Sequence, residues 1–203
     1  AMLSHEPKNY ALLGMDGTLI LKGVAFRSSR AEPFGQAFLR RAIGCLLVGD
    51  LAGVRQAYVD TVSGLRRRDF STCDVSSRVR LTKTTARYLA IREVRREFTY
   101  EALLASGRTA WSIGDRVRVY RTANGSGGVA MEPGGAAGGQ ESADPRDYDV
   151  AHYVRLLRET FAARLARAFT PGDFANIFDA PEQPSLFPPS LSNVRSVLRK
   201  HPV

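Results

Sequence analysis

Basic side chains crowd the stretch between residues 78 and 108. The acidic residues of this stretch, Glu93, Glu97 and Glu101, are too few to neutralise them. A guanidinium presents a planar fork that matches a phosphate bidentately, so a stretch rich in arginine predicts a surface for a polyanion. A solvated basic face without a partner is the alternative that a charge run leaves open. The cations are Arg78, Arg80, Lys83, Arg87, Arg92, Arg95, Arg96 and Arg108.

A short helix is predicted inside this stretch, from Glu97 to Ser106, with Gly107 as the residue that ends it. Arg92, Arg95 and Arg96 come just before its first turn. Free backbone N–H groups and the positive end of the helix dipole favour a phosphate at that place. The segment before the helix is therefore the first candidate for phosphate contacts.

The positive charge is concentrated in one part of the chain. The 203 residues carry a net charge of +9, whereas residues 22 to 121 hold 20 Lys or Arg against 9 Asp or Glu, which is +11. Localised charge indicates an anionic partner, although a high arginine content also follows from a GC-rich genome. Without a long apolar run or a signal peptide, the chain is expected to be a soluble cytoplasmic protein with no membrane partner.

No arrangement typical of an enzyme acting alone is visible. The three histidines are scattered, and no strand carries the paired carboxylates that hold two metal ions. Cys45 and Cys73 have no neighbour at metal-ligand spacing, so both are expected to be ordinary thiols of a reducing compartment. Asp144, Asp147 and Asp149 form an acidic group, but they precede a predicted helix, where capping and the dipole explain them better than a metal does.

Hydrophobic periodicity predicts an α+β fold that is predominantly helical, beginning with a β-hairpin. Apolar runs at residues 10–15 and 18–24, separated by Asp16-Gly17, predict two strands joined by a two-residue turn. Pro33 opens a helix that Gly49 ends, and Asp50 caps the next helix. The short connection predicts that these two helices pack as an antiparallel pair.

The second half is predicted to combine a small second β-hairpin with the most regular helix of the chain. Residues 116–122 alternate as a strand, with residues 129–131 as its return partner. The Gly-rich segment at residues 123–145 is expected to be a flexible loop. Asp149 caps a helix whose apolar residues recur from Val150 to Ala168, and Thr170-Pro171-Gly172 ends it.

Three segments carry a resemblance to a known family. Lys8-Asn9-Tyr10 is similar to the end of a KKRY motif. Lys22-Gly23 with residues 26–34 is similar to a strand that connects two subdomains, the palm and the thumb. Residues 147–153 are similar to the last long helix of the thumb. In this order and spacing they resemble the C-terminal end of family B DNA polymerases, specifically the bacterial members. Pro7 and Asn9 depart from the motif, so the contacts of those two side chains are not carried over.

The resemblance implies a helical thumb that grips primer-template duplex through the minor groove and the phosphates. It implies that the catalytic aspartates, with their Mg²⁺, lie upstream in a parent DNA-directed DNA polymerase, and that this part has no cofactor and no activity of its own. Lys8, on the first palm strand, is the candidate for the minor groove, where acceptors are similar for every correct pair. The DNA-binding candidates, expected to converge on one concave side, are Lys8, Tyr10, Lys22, Arg78, Arg80, Lys83, Arg92, Arg95 and Arg96.

The resemblance also divides the chain into a palm-edge hairpin (1–32), a helical thumb (33–179) and a tail (180–203). In the tail, Gln183, Leu186 and Phe187 resemble the Q-x-x-L-F peptide by which bacterial polymerases dock to the sliding clamp. The alternative is that Leu186 and Phe187 pack back on the thumb. For the whole chain, the alternative is a free-standing helical adaptor that binds nucleic acid or a clamp.

Overall fold

The structure, a computed structural model, describes residues 2–6, 8–130, 143–179 and 191–196. Within them the fold is α+β and predominantly helical, as predicted. The chain divides into two compact units, the first formed by the described parts of residues 1–28, 35–67 and 154–203, the second by those of residues 29–34 and 68–153. None of the described helices is both long enough and apolar enough to cross a membrane.

The first unit begins with an antiparallel sheet of three strands. β2 (Asn9–Leu13) and β3 (Leu19–Lys22) form the predicted hairpin, and β1 (Met2–Glu6), which the sequence pattern does not predict, pairs along the other edge of β2. Side chains alternate between the faces of a strand, so Leu3, Ala11 and Leu21 share one face, and all three are buried. That face supplies the sheet's part of the core.

The hairpin turn differs from the predicted two-residue turn. The amide of Gly14 donates to the carbonyl of Thr18 at 2.9 Å, so three residues, 15–17, form the loop. Gly17 has a φ of 80°, the left-handed conformation that closes a three-residue loop of this kind. Asp16 accepts hydrogen bonds from the amide and the hydroxyl of Thr18, at 3.0 and 2.7 Å, which stabilises the turn.

Helices α1 (Pro33–Val48) and α2 (Leu51–Arg67) form the predicted antiparallel pair. Gly49, with a φ of 83°, lies between them, and Asp50 caps α2 by accepting the amide of Gly53 at 2.8 Å. The apolar stripes of both helices are buried, and the rings of Phe38 and Tyr58 meet across the pair with centroids 6.0 Å apart.

The helix predicted from Val150 to Ala168 changes its hydrogen-bond spacing twice. Asp149 caps its start as predicted, accepting the amide of His152 at 2.9 Å. Helix α6 (Val150–Leu156) is followed by a π-helical turn (Leu157–Phe161) and a 3₁₀ segment (Ala162–Ala168). The apolar stripe nevertheless keeps buried residues in all three segments, which is why the sequence pattern alone predicts one continuous α-helix.

Helix α7 (Pro171–Phe178) is not predicted from the sequence. Thr170-Pro171-Gly172, interpreted as a stop signal, also starts a helix: the hydroxyl of Thr170 accepts the amide of Asp173 at 3.2 Å, and proline occupies the first turn. At the other end, Arg55 Nη1 donates to the carbonyl of Ile177 at 2.6 Å, so α2 holds the C-terminus of α7.

The second unit contains the other antiparallel sheet, formed by β4 (Ser77–Arg80), β5 (Arg116–Arg121) and β6 (Gly127–Ala130). The short helix α3 (Thr72–Val75) precedes β4. Helices α4 (Thr85–Ile91) and α5 (Phe98–Ala105) lie between β4 and β5 in the chain. Helix α5 confirms the predicted helix, with Glu97 at its N-cap and Gly107, at a φ of 78°, after its end, whereas α4 is an addition.

Part of the segment predicted to be a flexible loop is ordered. Residues 123–130 form a turn and strand β6, and residues 131–142 lie outside the described residues. Asn124 Oδ1 accepts the amide of Ser126 at 3.0 Å and Gly125 has a φ of 83°. The small and polar residues that suggest flexibility therefore form a tight turn here, since such residues also favour turns.

Candidate nucleic-acid interface

Three buried aromatic side chains hold the basic segment (residues 78–108) in place. Tyr88 of α4 and Tyr100 of α5 stack with centroids 4.6 Å apart, and Trp111 lies 5.7 Å from Tyr100. The hydroxyl of Tyr100 accepts the amides of Thr82 and Lys83, both at 3.0 Å, and Trp111 Nε1 donates to the carbonyl of Lys83 at 3.1 Å. The backbone that carries Lys83 is thereby fixed from two directions.

Lys83 is partnered within the protein. Its Nζ donates to both carboxylate oxygens of Glu97 at 2.9 Å, and Arg95 Nε lies 3.4 Å from the same carboxylate. The hydrogen bond from Lys83 is the main reason that the pKa of Glu97 is lowered. A phosphate that bound Lys83 would therefore share it with Glu97 or displace that carboxylate.

Arg92 is held more tightly by Glu101. Its Nε and Nη2 donate to the two carboxylate oxygens at 2.8 and 2.9 Å, the bidentate geometry of a strong charge-assisted pair. The hydroxyl of Tyr88 donates to Glu101 Oε1 at 2.6 Å. The Arg92 hydrogen bonds, followed by that of Tyr88, lower the pKa of Glu101 to about 2.

The glutamates of the segment therefore determine which cations remain available. Arg95 keeps 77% of its side chain exposed despite its long contact with Glu97. Arg80 and Arg96 are exposed and take part in no ion pair within the described part of the chain. Of the predicted phosphate ligands in the segment, Arg80, Arg95 and Arg96 are the most accessible.

Strand pairing brings two further arginines to the candidates. β4 and β5 are antiparallel, and residues directly opposite each other in such a pair point to the same face. Val79, Val117 and Val119 point to the other face and belong to the core of the unit or pack against it. The face opposite these valines carries two cross-strand arginine pairs, Arg78 with Arg118 and Arg80 with Arg116. We call these four side chains the arginine quartet.

Arg116 and Arg118 are not among the predicted site residues. The signal that could identify them is the alternation Arg116-Val117-Arg118, which repeats the Arg78-Val79-Arg80 pattern. Alternation shows that arginines share a face of their own strand. It does not show which strand pairs with which.

The candidates of the first unit lie around the start of β2. Lys8 lies in the turn between β1 and β2, with a φ of 68°, and its side chain is exposed. The resemblance implies a position on a strand, so this part of the prediction is wrong. Tyr10 and Lys22 are direct partners across β2 and β3, so they lie side by side on one face. Asn9, which departs from the motif, accepts the amide of Ala25 at 2.9 Å and so supports the backbone after β3.

The candidates thus fall into two units, with Lys8, Tyr10 and Lys22 in the first and the other six in the second. Their convergence on one concave side stays a prediction. Gln183, Leu186 and Phe187 lie outside the described residues.

The acidic group before α6 has structural partners. Asp144 Oδ2 accepts the amide of Thr72 at 2.9 Å, Asp147 Oδ1 accepts the hydroxyl of Tyr120 at 2.8 Å, and Asp149 caps α6. Within the described residues, no group of three or more His, Cys, Asp or Glu side chains is arranged to hold a metal ion.

Comparison with known proteins identifies the fold. No protein-family model matches the chain, and no curated protein matches it. Among solved structures, the chain is similar to the family B DNA polymerase from the hyperthermophilic archaeon Pyrobaculum calidifontis, with a TM-score of 0.52 and 16% sequence identity. The match covers 91% of this chain but only 22% of that polymerase, so the chain spans about a fifth of its length. In fold, the described chain therefore resembles a part of a family B DNA polymerase.

Proposed function

We propose that this chain is the thumb, with adjoining palm strands, of a bacterial family B DNA polymerase, and that it grips primer-template duplex. The observation that carries the proposal is the fold similarity to a family B polymerase over 91% of the chain. The local concentration of positive charge supports it, because a grip that is independent of sequence needs cations directed at phosphates.

The chemistry of DNA synthesis belongs, in this proposal, to the parent protein. Its catalytic aspartates would hold the Mg²⁺ ions upstream of residue 8, and the present chain would contribute duplex binding alone. Finding an aspartate pair encoded upstream in the parent gene would support this assignment. A gene without it would favour the free-standing adaptor.

Arg95 and Arg96 provide the direct test, because both are exposed and precede helix α5. In the R95A/R96A variant of the full chain, the slope of log affinity against log salt should fall by about two, since each lost phosphate contact removes about 0.9. Fluorescence anisotropy with a labelled duplex, repeated over a series of KCl concentrations, measures the slope.

The matched control removes two charges from the first unit. Arg40 of α1 and Arg155 of α6 are exposed and form no ion pair among the described residues. R40A/R155A should keep the slope of the unaltered chain. Equal slopes for the two double variants would remove Arg95 and Arg96 from the interface.

We further propose that Gln183, Leu186 and Phe187 dock the parent polymerase to the bacterial sliding clamp. The sequence pattern supports this, since a short peptide between prolines can present two apolar side chains to a pocket. Surface plasmon resonance with purified clamp should show binding that the L186A/F187A variant loses. The S185A variant, which changes a position that the pattern leaves unspecified, is the control and should retain binding. Clamp binding that survives in L186A/F187A contradicts the docking.

A further inference from the structure

Among the described residues, one of the two ends of the arginine quartet is exposed to solvent. Beyond Arg118, the same face carries Tyr120, which is 5% exposed and donates its hydroxyl to Asp147 at 2.8 Å. Arg78 and Arg118 are half-buried, whereas Arg80 and Arg116 are exposed. Exposure therefore rises along the face, and a ligand would approach from the end at Arg80 and Arg116.

Placing like charges directly opposite each other on a sheet is unfavourable. The register does this twice in succession, with Arg78 against Arg118 and Arg80 against Arg116. Within the described residues, Arg80 and Arg116 form no ion pair that would offset the repulsion. The Arg80 guanidinium instead lies over Gly114, where its Nη2 is 3.5 Å from the place that a Cβ would occupy.

An anion with repeated charges fits this geometry. The two cross-strand pairs are about 6.8 Å apart, the rise of two strand residues. Guanidinium forks bind phosphate bidentately, and a nucleic-acid strand carries one negative charge per nucleotide. Arg80 and Arg116 offer their forks to one phosphate, and a second phosphate would share Arg78 and Arg118 with the partners that these two residues have within the protein. Two successive positions therefore suit successive phosphates of a chain better than a single small anion.

We propose that the arginine quartet binds phosphate groups of an extended polyanion, entering from the Arg80 and Arg116 end. The inference rests on the proposed function in one respect, because the proposed function identifies the backbone of DNA as the source of these phosphates. Because the contacts are to phosphate oxygens, binding at this face is independent of base sequence.

The test uses R80Q/R116Q in the full chain, with R40Q/R155Q as the control for the loss of two charges. Anisotropy titrations of a labelled duplex at several KCl concentrations should show a slope about two units smaller for R80Q/R116Q and an unchanged slope for the control. The single variants R80Q and R116Q, each expected to lower the slope by about one, serve if the double variant fails to fold. Equal slopes for R80Q/R116Q and R40Q/R155Q overturn the proposal.

Thermal unfolding without DNA provides an independent readout. Removing the charges of Arg80 and Arg116 should leave the melting temperature of R80Q/R116Q equal to or above that of the unaltered chain, because the repulsion between these two side chains is relieved. Duplex DNA should then raise the melting temperature of the unaltered chain more than that of the variant. An equal increase for both overturns the proposal.

The two proposals fail separately. If R95A/R96A lowers the salt slope and R80Q/R116Q does not, the quartet proposal is wrong and duplex binding stands. If the chain does not bind duplex, the proposed function is wrong, and tripolyphosphate becomes the probe of the quartet. Tripolyphosphate-dependent shifts of the Nε–H resonances of Arg80 and Arg116 support the quartet, and unchanged resonances overturn it.

Discussion

At the scale of single residues, two carboxylates organise the basic segment. Glu97 and Glu101 lie at the start of α5, and each forms an ion pair with a cation that the sequence predicts to bind DNA. Because Lys83 and Arg92 are satisfied internally, their side chains order the segment that presents Arg95 and Arg96. The same acids that lower the net charge of the segment thus keep its exposed cations in position.

The Glu101 contact predicts a specific pH dependence of stability. Its pKa is about 2 in the folded protein against an ordinary 4.5, so its stabilising contribution is present above about pH 4.5 and is lost as pH falls towards 2. At neutral pH, E101Q should lower the free energy of unfolding by about 1–2 kcal/mol, and this difference should shrink as the pH falls below 4.5. Urea denaturation between pH 7 and pH 3 measures it.

Glu93 offers the control for that measurement. It is exposed and lies next to Arg92 in the connection between α4 and α5, so E93Q makes the same change of charge without breaking a hydrogen bond within the described residues. E93Q should unfold like the unaltered protein at every pH. A constant difference for E101Q from pH 7 to pH 3 would show that the ionised carboxylate is not what stabilises the fold.

At the scale of elements, a glycine determines how closely α1 approaches the π-helical turn. A Cβ at Gly35 would lie 2.2 Å from Cζ of Phe161, whose ring is fully buried. Real Cβ atoms do not approach a ring so closely, so only glycine allows this packing. The apolar stripe of α1 does not reveal such a position, because glycine contributes no side chain to a stripe.

Two alanine substitutions in α1 should therefore have opposite effects. G35A should destabilise the protein by about 1–3 kcal/mol, because the ring of Phe161 must move within a packed core. G44A should stabilise it by about 0.5–1 kcal/mol, since the nearest atom to its Cβ is Leu19 Cδ2 at 3.9 Å and alanine favours a helix. Urea denaturation of both variants tests this, and equal stabilities would contradict the close contact.

The elements differ in how well local sequence predicts them. Helices α1 and α5 have the predicted starts and ends, and α2 has the predicted start, because proline, Asp50 and glycines act on the backbone within a few residues. Helix α7 is not predicted, since its start signal coincides with the stop signal of the preceding segment. The π-helical turn is not predicted either, because it preserves the buried stripe.

At the scale of the whole molecule, localised charge and a polymerase-like fold predict binding that ignores base sequence. Two duplexes of equal length but different sequence should bind with affinities within about twofold of each other, because phosphates carry the contacts. For four contacts, the affinity should fall roughly a hundredfold between 50 and 200 mM salt. Anisotropy titrations measure both quantities, and a preference of more than about tenfold for one duplex would indicate base readout instead.

The sequence by itself determines the class of the fold, the boundaries of α1, α5 and β5, and the presence of a basic segment, because caps, turns and hydrophobic periodicity act over a few residues. Only the tertiary structure decides which cations are partnered and which arginines meet. Lys83 reaches Glu97 across 14 residues, and Arg80 faces Arg116 across two strands joined by two helices. Such pairings depend on which surfaces are buried together, and that is a property of the whole chain and not of any local pattern.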